Sequence, residues 1–201
     1  MNYLAHILLA PDDSEAQLGA LLGDFVKVPS VETYGPTMNR EILLHRKIDS
    51  FTDSHALVLA QKALFRRETR RFAGILLDVY YDHLLARDWA NFCARPLHEF
   101  VQRFYAGAAN FRAVFPHDFS YAFDRMVADN WLESYREFAG VEQALRRIGK
   151  RVPKFAGPLS EGLVDLSTNE RDISRTFPEF FASLMRFAGE KRSDMSAGEV
   201  R

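Results

Sequence analysis

The chain has 201 residues, 47% of them hydrophobic, so it can bury one sizeable core without needing a second domain. Its 26 basic and 27 acidic side chains give a formal net charge of -1, which argues against a chain built as a whole to bind nucleic acid or an anionic membrane. The single cysteine, Cys93, excludes an intramolecular disulfide framework and a cysteine-rich zinc site. The apolar start of the chain lacks a basic flank and is too short to span a bilayer. We therefore expect a cytoplasmic protein without a membrane partner.

Apolar residues recur every three to four positions, as at Phe72, Ile75, Leu76 and Val79, with almost no alternation of period two. This spacing predicts an all-α fold. Proline and glycine residues divide the chain into about seven to nine helical segments. We predict that these segments form a single compact domain over residues 1–189.

The end of the chain contains a helix-start pattern followed by a polar segment. Thr176 and Glu179 form a predicted capping box that opens a last helix through Phe187, with Pro178 tolerated in its first turn. Beyond Gly189 the sequence is polar and loses its periodicity. We therefore predict a disordered tail over residues 190–201.

Histidine and aspartate residues are concentrated in the first half of the chain. His45 and Asp49 lie four residues apart, a spacing at which both side chains reach one ion from the same helix face. On a helical wheel they continue a stripe that contains Met38, Ile42 and Thr52. This pattern predicts that the pair faces inward.

A second polar pair lies on another predicted apolar stripe. Asp78 and Asp82 share a helix face with Ile75, Leu85 and Trp89. Two inward carboxylates are costly unless a cation, a proton or an arginine intervenes, because each loses its hydration and they repel each other. A divalent metal ion would satisfy both, since aspartate and histidine are ordinary ligands of manganese, iron and zinc.

A third candidate ligand, Asp24, lies between apolar residues on both sides and could complete a metal site. The competing interpretation is a set of buried Asp–Arg pairs that use Arg46, Arg70 or Arg71. The sequence pattern alone leaves both interpretations open.

Five short blocks in this region resemble the ordered signature of the acyl carrier protein phosphodiesterase family. The blocks are Met1–His6, Leu22–Val26, His45–Asp53, Glu68–Arg71 and Leu77–His83. The resemblance implies a divergent, HD-domain-like helical phosphohydrolase that uses a divalent ion, with Mn²⁺ expected and Mg²⁺, Fe²⁺ and Zn²⁺ as alternatives. The His-Asp dyad of that wider superfamily is reversed here as Asp82-His83, so its ligand assignments cannot be transferred by motif. A literal dyad, His117-Asp118, lies outside the blocks, and we expect Asp118 to cap a helix.

The activity implied by the resemblance is hydrolysis of the phosphodiester that links 4′-phosphopantetheine to a serine of holo-acyl carrier protein. The products are apo-carrier protein and 4′-phosphopantetheine. Such a reaction needs charge neutralisation at the phosphoryl oxygens and a nucleophile, and a divalent ion supplies both. The expected ligand pool is larger than one ion needs and consists of Asp24, His45, Asp49, Asp78 and Asp82.

Four further residues are catalytic candidates. The serine alkoxide is a poor leaving group, so a histidine acid would help, with His83 as the first choice and His6 as the second. Arg46 suits a phosphate oxygen geometrically, although Asp49 or Glu41 is an equally good partner for it. Asp53, in the same block as Asp49, completes the set.

A carrier protein is expected to present an acidic helix, so a local basic surface is expected on this chain. Two runs offer one: Arg66, Arg67, Arg70 and Arg71, and Arg146, Arg147, Lys150, Arg151 and Lys154. Nucleic acid is a less favoured partner because no stacking aromatics are interleaved with either run. The sequence does not determine the oligomeric state.

Two rival functions remain open at this point. The same metal site could hydrolyse a nucleotide or another small phosphoester. Alternatively, the chain could be a non-enzymatic helical interaction module whose histidines and aspartates form buried hydrogen-bond networks.

Overall fold

The computed structural model describes residues 1–198, and within them it consists of eleven α-helices and four short 3₁₀ turns without any strand. The helices are α1 (Tyr3–Leu9), α2 (Ser14–Leu22), α3 (Val31–Ser54), α4 (Ala56–Ala63), α5 (Ala73–Arg87), α6 (Leu97–Ala109), α7 (His117–Ala128), α8 (Trp131–Ser134), α9 (Phe138–Arg151), α10 (Ala156–Thr168) and α11 (Glu170–Gly198). The predicted all-α fold is confirmed. The helix count exceeds the predicted range because elements as short as α8 are too brief to show a helical period.

Helix α5 is the central element of the core. It packs against α1, α4, α9, α10 and α11, and most of its side chains are buried. Asp82 and His83 of α5 therefore lie in the interior, among aromatic side chains such as Tyr80, Tyr81 and Phe180, whereas Asp78 is partly exposed. This position makes any carboxylate of α5 dependent on a partner from another helix.

Helices α2 and α3 approach each other closely at two glycines. A Cβ atom built on Gly19 would lie 2.6 Å from the carbonyl oxygen of Met38, and one on Gly23 would lie 2.2 Å from Cγ of His45. Real Cβ atoms do not tolerate such distances, so only glycine permits this packing. Upstream, α3 is kinked at Gly35, whose φ of 70° lies in the left-handed region that glycine adopts readily.

Helix α11 begins earlier than the capping pattern predicts. Thr176 and Glu179 lie inside it, so the predicted capping box is wrong. The Thr176 hydroxyl donates to the carbonyl oxygen of Asp172 at 3.1 Å and accepts a hydrogen bond from Gln61 at 2.7 Å. These contacts use the hydroxyl within the helix and across the core, and no cap is needed there.

The same helix continues past the predicted domain boundary to Gly198, which corrects the disordered tail for residues 190–198. Arg192 donates to both carboxylate oxygens of buried Glu41, at 2.7 and 2.9 Å, and to the Leu9 carbonyl at 2.8 Å. This pairing fixes the final turns of α11 on α1 and α3. The predicted tail residues 199–201 lie outside the described residues.

No described helix combines the length and the apolarity needed to cross a bilayer.

Candidate metal centre

Three helices and one loop bring together five of the residues predicted as ligands or catalytic groups. His6 comes from α1, Asp24 follows α2, His45 and Asp49 share one face of α3, and Asp78 comes from α5. The two imidazoles form the buried back of the cluster. The three carboxylates form its mouth, with side-chain exposures of 44% for Asp24, 37% for Asp49 and 35% for Asp78.

The orientation of His45 is fixed by the backbone of α2. Its Nδ1 lies 2.7 Å from the carbonyl oxygen of Ala20, a geometry in which Nδ1–H donates the hydrogen bond. The opposite ring nitrogen, Nε2, then lies 3.1 Å from Asp49 Oδ2 and 3.4 Å from Asp24 Oδ1. In the neutral ring Nε2 has a lone pair that faces carboxylate oxygens, so only a proton or a metal ion at this point relieves the repulsion.

The pKa of His45 reflects that arrangement. Burial lowers the pKa, but the contacts with Asp24 and Asp49 outweigh burial and raise it to about 9. The cluster therefore favours a positive charge at Nε2.

His6 stacks on His45, with ring centroids 3.7 Å apart and ring planes within 12°. Its Nε2 lies 3.1 Å from Asp49 Oδ1, and its Nδ1 is buried without a hydrogen-bond partner among the described residues. Burial, together with the neighbouring charge of His45, lowers the pKa of His6 to about 4. His6 is therefore neutral near pH 7 and suited to act as a ligand.

Asp49 is the common partner of the cluster. Besides both imidazoles, it accepts a hydrogen bond at 3.0 Å from the amino group of Met1, which also contacts Asp78 at 3.0 Å. Desolvation acts to raise the pKa of Asp49, but hydrogen bonds with His45 and His6 lower it far below the usual range. Burial raises the pKa of Asp78, and the Met1 ammonium partly opposes this. Asp49 is therefore ionised at all physiological pH values.

His6, His45 and Asp49 form a candidate metal-binding triad. Each offers one ligand atom, and these atoms lie within 4.8 Å of one another. Two imidazole nitrogens and a carboxylate oxygen suit zinc, manganese and iron, so the donor chemistry fits a divalent ion. Asp24 and Asp78 border the triad and add negative charge that favours a cation.

Asp82, predicted as a ligand, has another partner in the structure. Its two carboxylate oxygens accept hydrogen bonds from the backbone N–H groups of Leu4 at 2.8 Å and Ala5 at 3.0 Å, at the start of α1. Complete burial raises its pKa to about 7 despite these hydrogen bonds. Asp82 thus anchors the helix that carries His6.

The structure places three predicted catalytic residues outside the cluster. Arg46 donates to the carbonyl oxygens of Val26 at 2.7 Å and Lys27 at 2.6 Å, so it holds the loop that follows Asp24. Asp53 pairs with Lys62 at 2.7 Å near the surface of the molecule. Both residues support neighbouring chain segments.

His83 also lies apart from the cluster, although it follows Asp82 directly. Its Nδ1 lies 2.8 Å from the Tyr135 carbonyl oxygen, and its ring contacts Tyr80 and Phe138. Burial lowers its pKa. Consecutive helix residues point about 100° apart, which explains why these two neighbours face different surroundings.

The competing prediction of Asp–Arg pairs is wrong for the arginines that were considered. Arg70 donates to the carbonyl oxygens of Phe65 and Ala63, and Arg71 lies over the ring of Phe72. Together with the carbonyl contacts of Arg46, these interactions leave the site carboxylates paired with imidazoles and with the Met1 amino group. Within residues 1–198, no arginine therefore forms an ion pair with Asp24, Asp49 or Asp78.

Three features of the cluster escape sequence reasoning: the Ala20 carbonyl, the Met1 amino group and the small size of Gly23. The only available signal is the glycine itself, which interrupts an apolar helix next to Asp24. The literal dyad is exposed, and His117 and Asp118 form a polar contact with each other at 3.4 Å outside the cluster. Asp118 lies in the first turn of α7 rather than at its cap, which is Pro116.

The fold and the cluster define an all-α protein with a candidate metal centre at the junction of α1, α3 and α5. The family model described as "Acyl carrier protein phosphodiesterase" matches residues 1–184, and the chain belongs to this family. The match covers the C-terminal half as well, which the signature blocks do not reach.

Curated relatives extend over nearly the whole chain. A protein of Enterobacter sp. (strain 638) named acyl carrier protein phosphodiesterase is 34% identical over 96% of this chain and 100% of its own length. A protein of the same name from Serratia proteamaculans (strain 568) is 33% identical with the same coverage. No solved structure matches the chain.

Proposed function

We propose that this protein hydrolyses the phosphodiester between 4′-phosphopantetheine and the serine of holo-acyl carrier protein, with a divalent metal ion at the His6–His45–Asp49 triad. The observation that carries the proposal is the convergence of His45 Nε2 and His6 Nε2 on the carboxylate of Asp49. The names of the relatives supply the substrate class. We propose Mn²⁺ as the ion and the cytoplasm as the location.

When bound, a divalent ion neutralises the phosphoryl oxygens and activates water near neutral pH. The chain's own residues prepare that site. The Ala20 carbonyl holds the His45 ring so that its Nε2 faces the cluster, and Asp82 holds the first turn of α1 so that His6 faces it too. The carboxylates at the mouth would repel an anionic phosphodiester, so catalysis by this cluster requires a cation.

For the group that protonates the serine oxygen, we choose a different candidate from the histidines that the sequence predicts. His83 contacts Tyr135 outside the cluster, and His6 is buried and would be held by the ion, so neither histidine is placed to protonate the serine oxygen. We propose that water at the open mouth, beside the exposed carboxylate of Asp24, delivers this proton.

The alternative of a nucleotide or another small phosphoester is not favoured by any relative reported above. The names of those relatives specify a carrier protein.

The test is mass spectrometry of holo-carrier protein incubated with the purified enzyme, first with a chelator and then with added Mn²⁺. We expect loss of the phosphopantetheine mass only with the ion. Asp49→Asn is expected to lower kcat/KM by about 100-fold or more, because it removes the shared anionic ligand. Asp118→Asn is the matched control, since that carboxylate is 96% exposed and lies outside the candidate triad. Intact holo-carrier protein after incubation of folded wild-type enzyme with Mn²⁺ would refute the proposal.

A further inference from the structure

Helix α9 presents a continuous basic surface. We call it the α9 basic face; it consists of Arg146, Arg147, Lys150, Arg151 and, in the 3₁₀ turn that follows, Lys154. All but Arg147 are exposed. Val141, Ala144 and Leu145 bury the opposite side of the helix in the core, so the cations are directed outward.

The charge of this face is not neutralised within the described part of the chain. None of its five cations forms an ion pair there, and Glu142, the only acidic residue of α9, forms none either. The other basic run differs, because Arg66 pairs with Asp165 at 2.7 Å and Arg70 donates to backbone carbonyls. The structure therefore separates two runs that looked equivalent in the sequence. The chain as a whole has a net charge of only -1, so these cations without acidic partners give the α9 basic face a local positive potential.

The α9 basic face lies beside the candidate metal centre. Helix α9 packs on α5, and the Arg147 guanidinium stacks over Trp131 at 4.1 Å from the ring centroid. The start of α1 links the two regions. The Asn2 side-chain amide donates to the Tyr135 hydroxyl at 2.7 Å, three residues before α9 begins. The next residue, Tyr3, has its ring 6.4 Å from that of Phe25, which follows Asp24 at the mouth of the centre.

We propose that the α9 basic face docks an acidic surface of holo-acyl carrier protein and directs its phosphopantetheinylated serine to the Asp24 side of the metal centre. This rests on the proposed function and adds the docking surface to it. Charge complementarity is the argument: the mouth is anionic and would repel an acidic partner, so a cationic surface next to it must hold that partner. Exposed cations of this kind raise the association rate and make it salt-dependent.

The test is the double charge reversal Arg146→Glu/Lys150→Glu. Both side chains are exposed and make no described polar contact, so the variant is expected to fold. The matched control, Arg67→Glu/Arg171→Glu, makes the same charge change at exposed, unpaired cations away from α9. Each enzyme is assayed on holo-carrier protein between 50 and roughly 300 mM salt, and on a short peptide that carries phosphopantetheinyl-serine without the acidic carrier surface.

We expect the α9 reversal to lower kcat/KM on holo-carrier protein by about 10-fold or more at low salt and to flatten the salt dependence. Its rate on the peptide and the rates of the control variant should stay within about 3-fold of the wild type. Equal effects of the two double variants on holo-carrier protein would overturn the docking site while leaving the proposed function intact. Failure of the wild type on both substrates would instead refute the proposed function. Displacement of carrier protein by an oligonucleotide that binds the same face more tightly would assign the surface to nucleic acid and overturn the proposal.

Discussion

At the scale of single residues, hydrogen bonds decide which polar side chains belong to the candidate metal centre. Asp78 and Asp82 occupy the same stripe of α5, yet Asp78 meets the Met1 amino group beside the cluster and Asp82 meets two backbone N–H groups of α1. Likewise His45 and His83 both donate to a backbone carbonyl, but only the free nitrogen of His45 faces carboxylates. Residue type alone does not distinguish the members of either pair.

This difference predicts opposite effects on metal content. His45→Ala should remove one imidazole ligand and lower the bound-ion stoichiometry, measured by elemental analysis after dialysis, to well below half of the wild-type value. His83→Ala should retain the ion, because its ring contacts Tyr135, Tyr80 and Phe138. Loss of the ion in a folded His83→Ala protein, with retention in His45→Ala, would contradict the assignment.

At the scale of secondary-structure elements, the contact between α2 and α3 positions His45. The Ala20 carbonyl reaches Nδ1 only because the two helices pack at glycine distance. The helical period of α3 and the burial of His45 and Thr52 were predictable from the sequence, and the structure bears them out. The identity of the helix that faces α3 was not predictable, because periodicity specifies which face of a helix is buried but not which element covers that face.

Gly23→Ala tests this contact. The added methyl group would lie 2.2 Å from Cγ of His45, so the imidazole must shift from its present position beside Asp49. We expect affinity for Mn²⁺, measured by titration calorimetry, to fall by about 10-fold or more while the helical content stays unchanged. Gly189→Ala on α11 is the control: its Cβ meets nothing within 4 Å, so affinity should not change. Unaltered Mn²⁺ affinity in Gly23→Ala would show that the packing does not position the ring.

A buried carboxylate links helix α10 to the segment after α4, and the stability that this link provides depends on pH. Asp165 accepts hydrogen bonds from Arg66 Nε at 2.7 Å and from Thr69 Oγ1 at 2.5 Å. Desolvation acts to raise the pKa of Asp165, but these partners lower it below 3.8, its value in an unstructured chain. The folded state therefore binds the Asp165 proton less tightly than the unfolded state does. Ionised Asp165 stabilises the fold at pH values above 3.8, the pKa of the unfolded state. This stabilisation is lost as the pH falls through the lower pKa of the folded state.

Asp165→Asn should lower the free energy of unfolding by about 1–2 kcal/mol at pH 7, since one charged hydrogen-bond acceptor is lost and Arg66 is partly solvated. The difference from the wild type should shrink steadily below about pH 4 as the native carboxylate becomes protonated. Urea denaturation at several pH values measures both effects. A difference that grows on acidification would have the wrong sign for this ion pair.

At the scale of the whole molecule, the last helix holds the first ones in place. Arg192 of α11 satisfies the carboxylate of Glu41, which is only 1% exposed, and also the last residue of α1 through the Leu9 carbonyl. Because His6 lies three residues before Leu9 on α1 and His45 lies four residues after Glu41 on α3, this contact holds both helices within about one turn of the two imidazoles.

A chain that ends at residue 189 should lose about 3 kcal/mol of unfolding free energy, because it leaves the Glu41 charge buried without its main partner. Thermal unfolding should show a decrease of roughly 6–12 °C for a domain of this size. Arg192→Met, which keeps the helix and removes the charge, should reproduce most of the loss; wild-type stability in that variant would show that the ion pair contributes little.

By itself the sequence determined the all-α class, the family and the burial of His45 and Thr52 on α3, and it singled out the residues of the candidate triad, because helical period, polar residues on apolar stripes and signature blocks are local properties of the chain. Only the tertiary structure decided that Asp82 anchors α1, that Arg46 binds backbone carbonyls, that α11 continues past residue 189 and that α9 packs on α5. Each of these depends on a partner far away along the chain, and hydrogen bonds and ion pairs are short-ranged in space regardless of that separation. The residue type determines which hydrogen bonds and ligand bonds a side chain can form, whereas the atoms that folding brings within about 3 Å of it determine which ones it does form.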